Sequence, residues 1–184
     1  MCINTTGCRT REQGGTCNCG GRGRGASTGG LHLRVAVPED VSSLLSLVGE
    51  LAAYENLSHE FEANAMRFTE YLFGARPRAS VIIADYDGNP AGFAVWYQTY
   101  STFSGLPGAF LEDLYVRPPF RRKGIGRALF AGVSGEARAL GCTRLEWRAL
   151  KWNEPALAFY KSLGAAPLSE WLTLRLDEPH LSAL

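Results

Sequence analysis

The chain has 184 residues, 46% of them hydrophobic and 11% aromatic. That suffices for one packed domain without a disulfide framework or structural metal, and is too little for two full ones. Nineteen Lys+Arg against 18 Asp+Glu leave a formal net charge of +1, which excludes a global attraction to nucleic acid, and no run approaches the ~18 apolar residues of a membrane span.

Charge and composition are unevenly spread. Residues 1–30 hold Arg9, Arg11, Arg22 and Arg24 against Glu12 alone, nine of the 21 Gly, four of the five Cys and no aromatic residue. Such a stretch cannot bury enough apolar surface to offset the entropy of ordering. It is expected to be disordered, or to be an extension from a misassigned start. It lacks the apolar core of a secretory signal, and its glycines prevent the amphipathic helix of a transit peptide. Cys2, Cys8, Cys17 and Cys19 match neither paired zinc knuckles nor a redox C-x-x-C, so no metal is expected. Residues 31–184 carry fifteen bases and seventeen acids, a net charge of −2. With Cys142 as their one cysteine, a reducing cytoplasm is the expected compartment.

From Leu31 onward the elements follow from periodicity. Leu31–Val37 alternates as a strand, and Pro38-Glu39-Asp40 suits a helix start. Val41, Leu44, Leu45, Val48 and Leu51 form an amphipathic stripe. Ala65–Phe73 reads as a second helix ending at Gly74. Ser80–Tyr86 is a β-branched strand, Asp87-Gly88-Asn89-Pro90 a turn, and Ala91–Thr99 its hairpin partner. A strand at Ala109–Val116, a helix at Gly124–Leu140, a strand at Arg144–Leu150, a helix at Asn153–Leu163 and a final strand at Trp171–Leu176 complete the order. This predicts one α/β domain with a mixed, mostly antiparallel central sheet flanked by helices.

The most informative stretch runs from Leu111 to Leu129: a strand, a basic glycine-bearing loop and a helix start. In Arg121-Arg122-Lys123-Gly124-Ile125-Gly126-Arg127, the glycines allow successive N–H groups to turn inward at a helix N-terminus, where the dipole favours phosphate oxygens. Five of the fifteen bases lie between Arg117 and Arg127, so a pyrophosphate site is predicted there. A dinucleotide fingerprint would need Gly or Ala at Leu129, and a P-loop Lys then Ser/Thr after its last glycine. Both patterns fail. A solvated basic turn capping a helix stays open on the motif alone.

Arg121-Arg122-Lys123-Gly124-Ile125-Gly126 resembles the [RQ]-x-x-G-x-[GA] signature of the GNAT acyl-CoA N-acyltransferases. Leu111-Glu112-Asp113, Trp152-Asn153-Glu154-Pro155 and Phe159-Tyr160 add a resemblance to the branch that acetylates spermidine, spermine and thialysine. The likeness runs from about Leu33 to Arg175. It implies the GNAT fold, acetyl-CoA as co-substrate, a homodimer, CoA contacts at Arg121–Arg127 and Asn153–Ala156 (Asn153, Glu154, Pro155, Ala156), and pairing of the pantetheine arm with the backbone of Leu114, Tyr115 and Val116.

Acetyl transfer to an amine needs a neutral nucleophile and a proton for the leaving thiolate. An alkyl ammonium has a pKa of about 10.4, so only about one molecule in a thousand is ready to attack at neutral pH. Glu112, an acid inside the apolar run Phe110–Val116, is read as general base, directly or through water, and as a partner for a cationic substrate; a solvent-facing acid on an alternating strand is the other reading. Tyr160 is the general acid by resemblance, and a core aromatic without it. Asn153 suits a helix N-cap whatever the function.

The first two helical segments carry Glu39, Asp40, Glu50, Glu55, Glu60, Glu62 and Glu70 against Arg67. That edge would attract a small cationic amine, or would simply be a solvated face. The resemblance places acceptor contacts at Tyr54, Glu55, Glu112, Asp113, Glu146, Trp147, Arg148 and Glu170, and a further one at Ser101, where polyamine-specific members carry an acid. Ser101-Thr102-Phe103 at that loop, with Arg148 and Lys151 nearby, favours lysine-like or small diamine acceptors over spermine. Two other readings are a non-catalytic acyl-CoA-binding module and a nucleic-acid-binding patch at Arg117–Arg127, the latter disfavoured because the patch is short. The expected partners are therefore a small amine and a second copy, not nucleic acid or membrane.

Overall fold

The computed structural model describes residues 30–183. The expectations for residues 1–29 and their four cysteines lie outside that range. A strand β1 (Leu31–Val35) leads through a 3₁₀ turn at Pro38–Asp40 into helix α1 (Val41–Tyr54), followed by α2 (Ala65–Phe73). Strands β2 (Ser80–Tyr86), β3 (Asn89–Ser101) and β4 (Leu106–Val116) precede α3 (Ile125–Ala139), β5 (Leu145–Trp147) and α4 (Glu154–Ser162). The strands form one sheet in the order β1-β2-β3-β4-β5, antiparallel until β5, which runs parallel to β4.

Each boundary has a local cause. The Asn64 side chain accepts from the Arg67 N–H at 3.0 Å and starts α2. At Gly74, where α2 stops, a Cβ would collide with the Glu70 carbonyl. Asp87 and Gly88, with φ of 51° and 77°, make a two-residue hairpin turn, so Asn89 and Pro90 belong to β3 and not to the expected four-residue turn.

The sheet is covered on both faces, and β2 shows how. Val81 and Ile83 pack with Leu44, Leu47 and Leu51 of α1, while Ile82 and Ala84 pack with Ile125, Leu129 and Val133 of α3. Leu47, fully buried, replaces Leu45 in the expected stripe. At 100° per residue Leu45 lies on the flank of the face centred on Leu44, and Leu47 closer to its middle. Arg34 fastens the first strand: it donates to both Asp40 carboxylate oxygens, at 2.6 and 2.8 Å, and to Asp85 at 2.6 Å. The Arg34 guanidinium holds the Asp40 carboxyl below the usual carboxylate range.

Two strand expectations fail at the far edge. The strand expected over Arg144–Leu150 is only Leu145–Trp147, because its pairing with β4 ends at Leu111, next to the register shift of β4 against β3. Residues 171–176 form no strand, and Trp171 and Leu174 are 74% and 87% exposed. Alternation alone does not make a strand when no neighbouring edge receives its hydrogen bonds.

Candidate active site

A bulge shapes the site. Along β4, Asp113 pairs with Val95 and Leu111 with Trp96, leaving Glu112 as an extra residue without a partner on β3. A bulge bends a strand and re-aims its side chains. On the other side, β5 pairs with Ala109, Phe110 and Leu111 and goes no further. From Glu112 to Val116 the edge of β4 therefore opens into a cleft of about 410 Å³, walled by the end of α1, the loop before α3, the segment after β5 and the start of α4.

The floor of one end is the glycine loop. Arg122 and Gly124 both have positive φ, 65° and 81°, and Gly124 is the residue that precedes α3. Left-handed residues before a helix turn consecutive N–H groups toward one point, and the first N–H groups of the helix have no intrahelical acceptor. Arg121, Arg122, Gly124, Ile125, Gly126 and Arg127 line the cleft. The Arg121 Nε donates to the Val116 carbonyl at 2.9 Å, and its guanidinium lies 4.7 Å from the Tyr54 ring centre. The Arg127 Nη2 lies 3.3 Å from Ser162 Oγ. This is a cradle for an anionic group, and its chemistry suits the diphosphate of a nucleotide cofactor.

Across from it stands α4. Asn153 is buried, and its Oδ1 accepts from the Ala156 N–H and from the Tyr54 hydroxyl, both at 3.3 Å, tying the end of α1 to the start of α4. Tyr160 lines the cleft in an aromatic cluster, its ring centre 5.0 Å from Trp147, 5.3 Å from Phe159 and 6.4 Å from Phe130. Burial, reinforced by Glu55 and Asp113, pushes its phenol up to about 12. It therefore keeps its proton at every working pH.

Three acids share the remaining end. Glu112 is paired with the Arg148 guanidinium at 3.3 Å, and that guanidinium sits 5.5 Å from the Phe110 ring centre. Burial raises Glu55. Asp113 is pushed up to about 6, first by burial and then by the charges of Glu112 and Glu55.

Most of the residues singled out from the sequence thus meet in this cleft: Tyr54, Glu55, Glu112, Asp113, Leu114, Tyr115, Val116, Arg121, Arg122, Gly124, Ile125, Gly126, Arg127, Trp147, Arg148, Asn153, Pro155, Ala156 and Tyr160. Five lie elsewhere. The Lys123 Nζ turns to the Tyr86 ring, 4.4 Å from its centre. Ser101 is buried at the end of β3, its Oγ accepting from the Ser104 N–H at 3.3 Å. Glu146 pairs with Arg144 at 2.7 Å. Glu154 and Glu170 are exposed outside the cleft. Two of the seven acids of the expected acidic edge are spent within the fold: Asp40 on Arg34, and Glu50 on Arg117 at 2.7 Å. Leu51, Phe120, Ala149 and Leu150 line the cleft without having been anticipated, and so do Leu111 and Phe159, which the motifs contain but to which no site role was given. As apolar residues of ordinary elements they carry no chemical signal in the sequence.

Residues 50–165, which include the cleft-lining end of α1, the glycine loop and α4, match the model of the acetyltransferase (GNAT) family. The chain belongs to that family. Within the GNAT acetyltransferases it is 34% identical to the thialysine N-epsilon-acetyltransferase of Bos taurus over 156 residues, covering 79% of this chain and 91% of that protein. It is 27% identical to the L-ornithine N5-acetyltransferase of Arabidopsis thaliana over 198 residues, covering 83% and 87%. Among solved structures, an integron cassette protein from the mobile metagenome of V. cholerae superposes with a TM-score of 0.70 at 25% identity, covering 83% of this chain and 96% of that one. The GNAT fold, a mostly antiparallel five-stranded sheet with four helices, is thereby established for this chain, and with it the class of N-acetyltransferase.

Proposed function

We propose that the chain transfers an acetyl group from acetyl-CoA to the primary amine of a small cationic acceptor, a lysine- or thialysine-like amino acid or a short diamine. The observation that carries this reading is one cleft that joins an anion cradle at the N-terminus of α3 to a Tyr160 phenol and the carboxylates of Glu55, Glu112 and Asp113. The cradle suits the CoA pyrophosphate; Leu114 and Val116, on the open edge of β4, suit the pantetheine arm, with the Val116 carbonyl already engaged by Arg121. Asn153, Pro155 and Ala156 border the same path. The acids provide the counter-charge for an ammonium group, and the protonated Tyr160 phenol suits donation toward the leaving sulfur.

An acceptor of modest length is favoured, because of the acids on the α1 side only Glu55 reaches the cleft, and Arg148 adds a positive charge to the cleft beside Glu112. A cytoplasmic homodimer is the setting that accompanies this reading. The test is release of CoA from acetyl-CoA across thialysine, lysine, ornithine, putrescine, spermidine and spermine. Turnover highest with the amino acids or short diamines is expected. Turnover with none of these amines would overturn the reading.

A further inference from the structure

Within the acetyltransferase reading above, on which this inference rests, an acid must accept a proton from the acceptor ammonium, and the cleft offers three. Glu112 is the one that its place in the sequence favours. In the structure its side chain is 40% exposed and its Oε1 is held by the Arg148 guanidinium at 3.3 Å. An ammonium group arriving there would have to compete with a guanidinium already in place. As the extra residue of the bulge, Glu112 has no register partner on β3, and its carboxylate is further engaged by the Tyr97 hydroxyl.

Asp113 differs on each count. It makes no hydrogen bond or ion pair among the described residues, and it is half-buried where Glu112 is exposed. Its side chain borders the active cleft and also a second cavity, of about 180 Å³, lined by Leu44, Val48, Phe68, Leu72, Val81 and Val95. A carboxylate set between a polar cleft and an apolar hollow is poorly hydrated, and so gains most from an incoming cation. It also lies close enough to Tyr160 to act on that phenol electrostatically, as Glu55 does. The charged and titratable groups around it are Glu55 at the end of α1, Glu112 on β4, Arg148 after β5 and Tyr160 on α4.

We infer that Asp113, and not Glu112, binds the acceptor ammonium and takes its proton during acetyl transfer. One N–H proton first passes to the Asp113 carboxylate, which frees the nitrogen lone pair to form its bond to the thioester carbonyl carbon. The C–S bond then breaks, the sulfur takes the Tyr160 proton, and the second proton lost by nitrogen restores the phenol. Asp113 finally gives its proton to solvent, so the amine leaves as a neutral amide with one N–H and CoA leaves as the thiol. Burial and two neighbouring acids bring Asp113 to about 6, so it is ionised at neutral pH yet more basic than an ordinary aspartate, which is the match a general base needs. Glu112 and Arg148 then form an ion pair at the mouth.

The experiment is the pH profile of kcat/KM from pH 5 to 9 for the unaltered enzyme, Asp113→Asn, Asp113→Glu and Glu112→Gln, with acetyl-CoA affinity measured by calorimetry on each. The unaltered enzyme is expected to lose activity below a pKa near 6. Asp113→Asn should lose that limb and fall about a hundredfold or more with acetyl-CoA affinity retained, and Asp113→Glu should recover a limb. Glu112→Gln should keep the limb, with its loss confined to a higher KM for the amine, where that carboxylate adds counter-charge. A limb that survives in Asp113→Asn, or vanishes in Glu112→Gln, would overturn the assignment while leaving the acetyltransferase reading intact. Should Asp113→Asn fail to fold, Asp113→Glu and Glu112→Gln decide together: a limb that moves in the first and is retained in the second supports the assignment, and a limb unmoved in the first or lost in the second overturns it. If the unaltered enzyme acetylates no amine, the reading falls and the assignment with it.

Discussion

Replacing Tyr160 by Phe removes one hydroxyl and leaves the ring against Trp147, Phe159 and Phe130, at 5.0, 5.3 and 6.4 Å. The fold should barely register the change, with stability altered by about 1 kcal/mol or less. Turnover should register it strongly, and the size follows from the environment. The phenol stands at about 12, whereas an ordinary thiol stands near 8.5. Proton transfer to the formed thiolate is therefore uphill by roughly 5 kcal/mol by itself, and goes to completion only as the phenolate regains a proton from the nitrogen. The useful contribution is a hydrogen bond to sulfur that strengthens as charge develops, and such bonds to charged groups contribute about 1.5–3 kcal/mol. That corresponds to a fall in kcat of roughly tenfold to somewhat above a hundredfold. Steady-state CoA release at saturating amine, alongside thermal unfolding and acetyl-CoA calorimetry, measures all three quantities. An unchanged kcat in a folded, acetyl-CoA-binding Tyr160→Phe would refute the role of the phenol.

Other consequences follow from the scaffold. Gly124→Val places a β-branched residue at φ 81°. No atom lies within 4 Å of the new Cβ, so the effect is conformational, about 1–2 kcal/mol of strain, and calorimetry should show acetyl-CoA affinity reduced at least tenfold as the loop relaxes. Arg117 links the end of β4 to α1, donating to Glu50 at 2.7 Å and to the Pro90 carbonyl at 2.8 Å; Arg117→Ala should destabilise by about 1–3 kcal/mol in urea unfolding, with acetyl-CoA affinity preserved. Asp40, held below its ordinary range by Arg34, contributes stability that is present above the unfolded carboxylate pKa and lost as pH falls through the lower folded value. Asp40→Asn should therefore lower the thermal midpoint at pH 7 and flatten its decline on acidification, which a series of melts from pH 7 to pH 2 would show.

Much of this architecture was readable where local chemistry and tertiary packing agree. The bounds of α2 and β2 coincide with their sequence expectation, because Asn64 caps the one and a β-branched run buried on both faces makes the other. The turn before α3 was legible from Gly124 and Gly126 among basic residues, and the structure shows it as a left-handed turn at Arg122 and Gly124 that borders the cleft. What escaped was decided by distant partners. The bulge at Glu112 depends on how β3 and β4 register over ten pairs of residues, and no residue in the run Phe110–Val116 announces it. The aim of Lys123 toward Tyr86, the loss of Asp40 and Glu50 to arginines, and the absence of a strand at 171–176 are likewise matters of which side chain or edge arrives nearby. Reading Glu112 as the reactive acid follows from its place in an apolar run; only the position of Arg148, thirty-six residues later, shows that carboxylate to be already paired.

The most direct test follows the acetyl carbon itself. Acetyl-CoA labelled with ¹³C at the carbonyl, incubated with the chain and a lysine-like amine, should lose its thioester resonance while an amide resonance appears on the acceptor, at a rate that Tyr160→Phe reduces. Label that stays in the thioester, or emerges only as free acetate, would contradict acetyl transfer to an amine in this cleft.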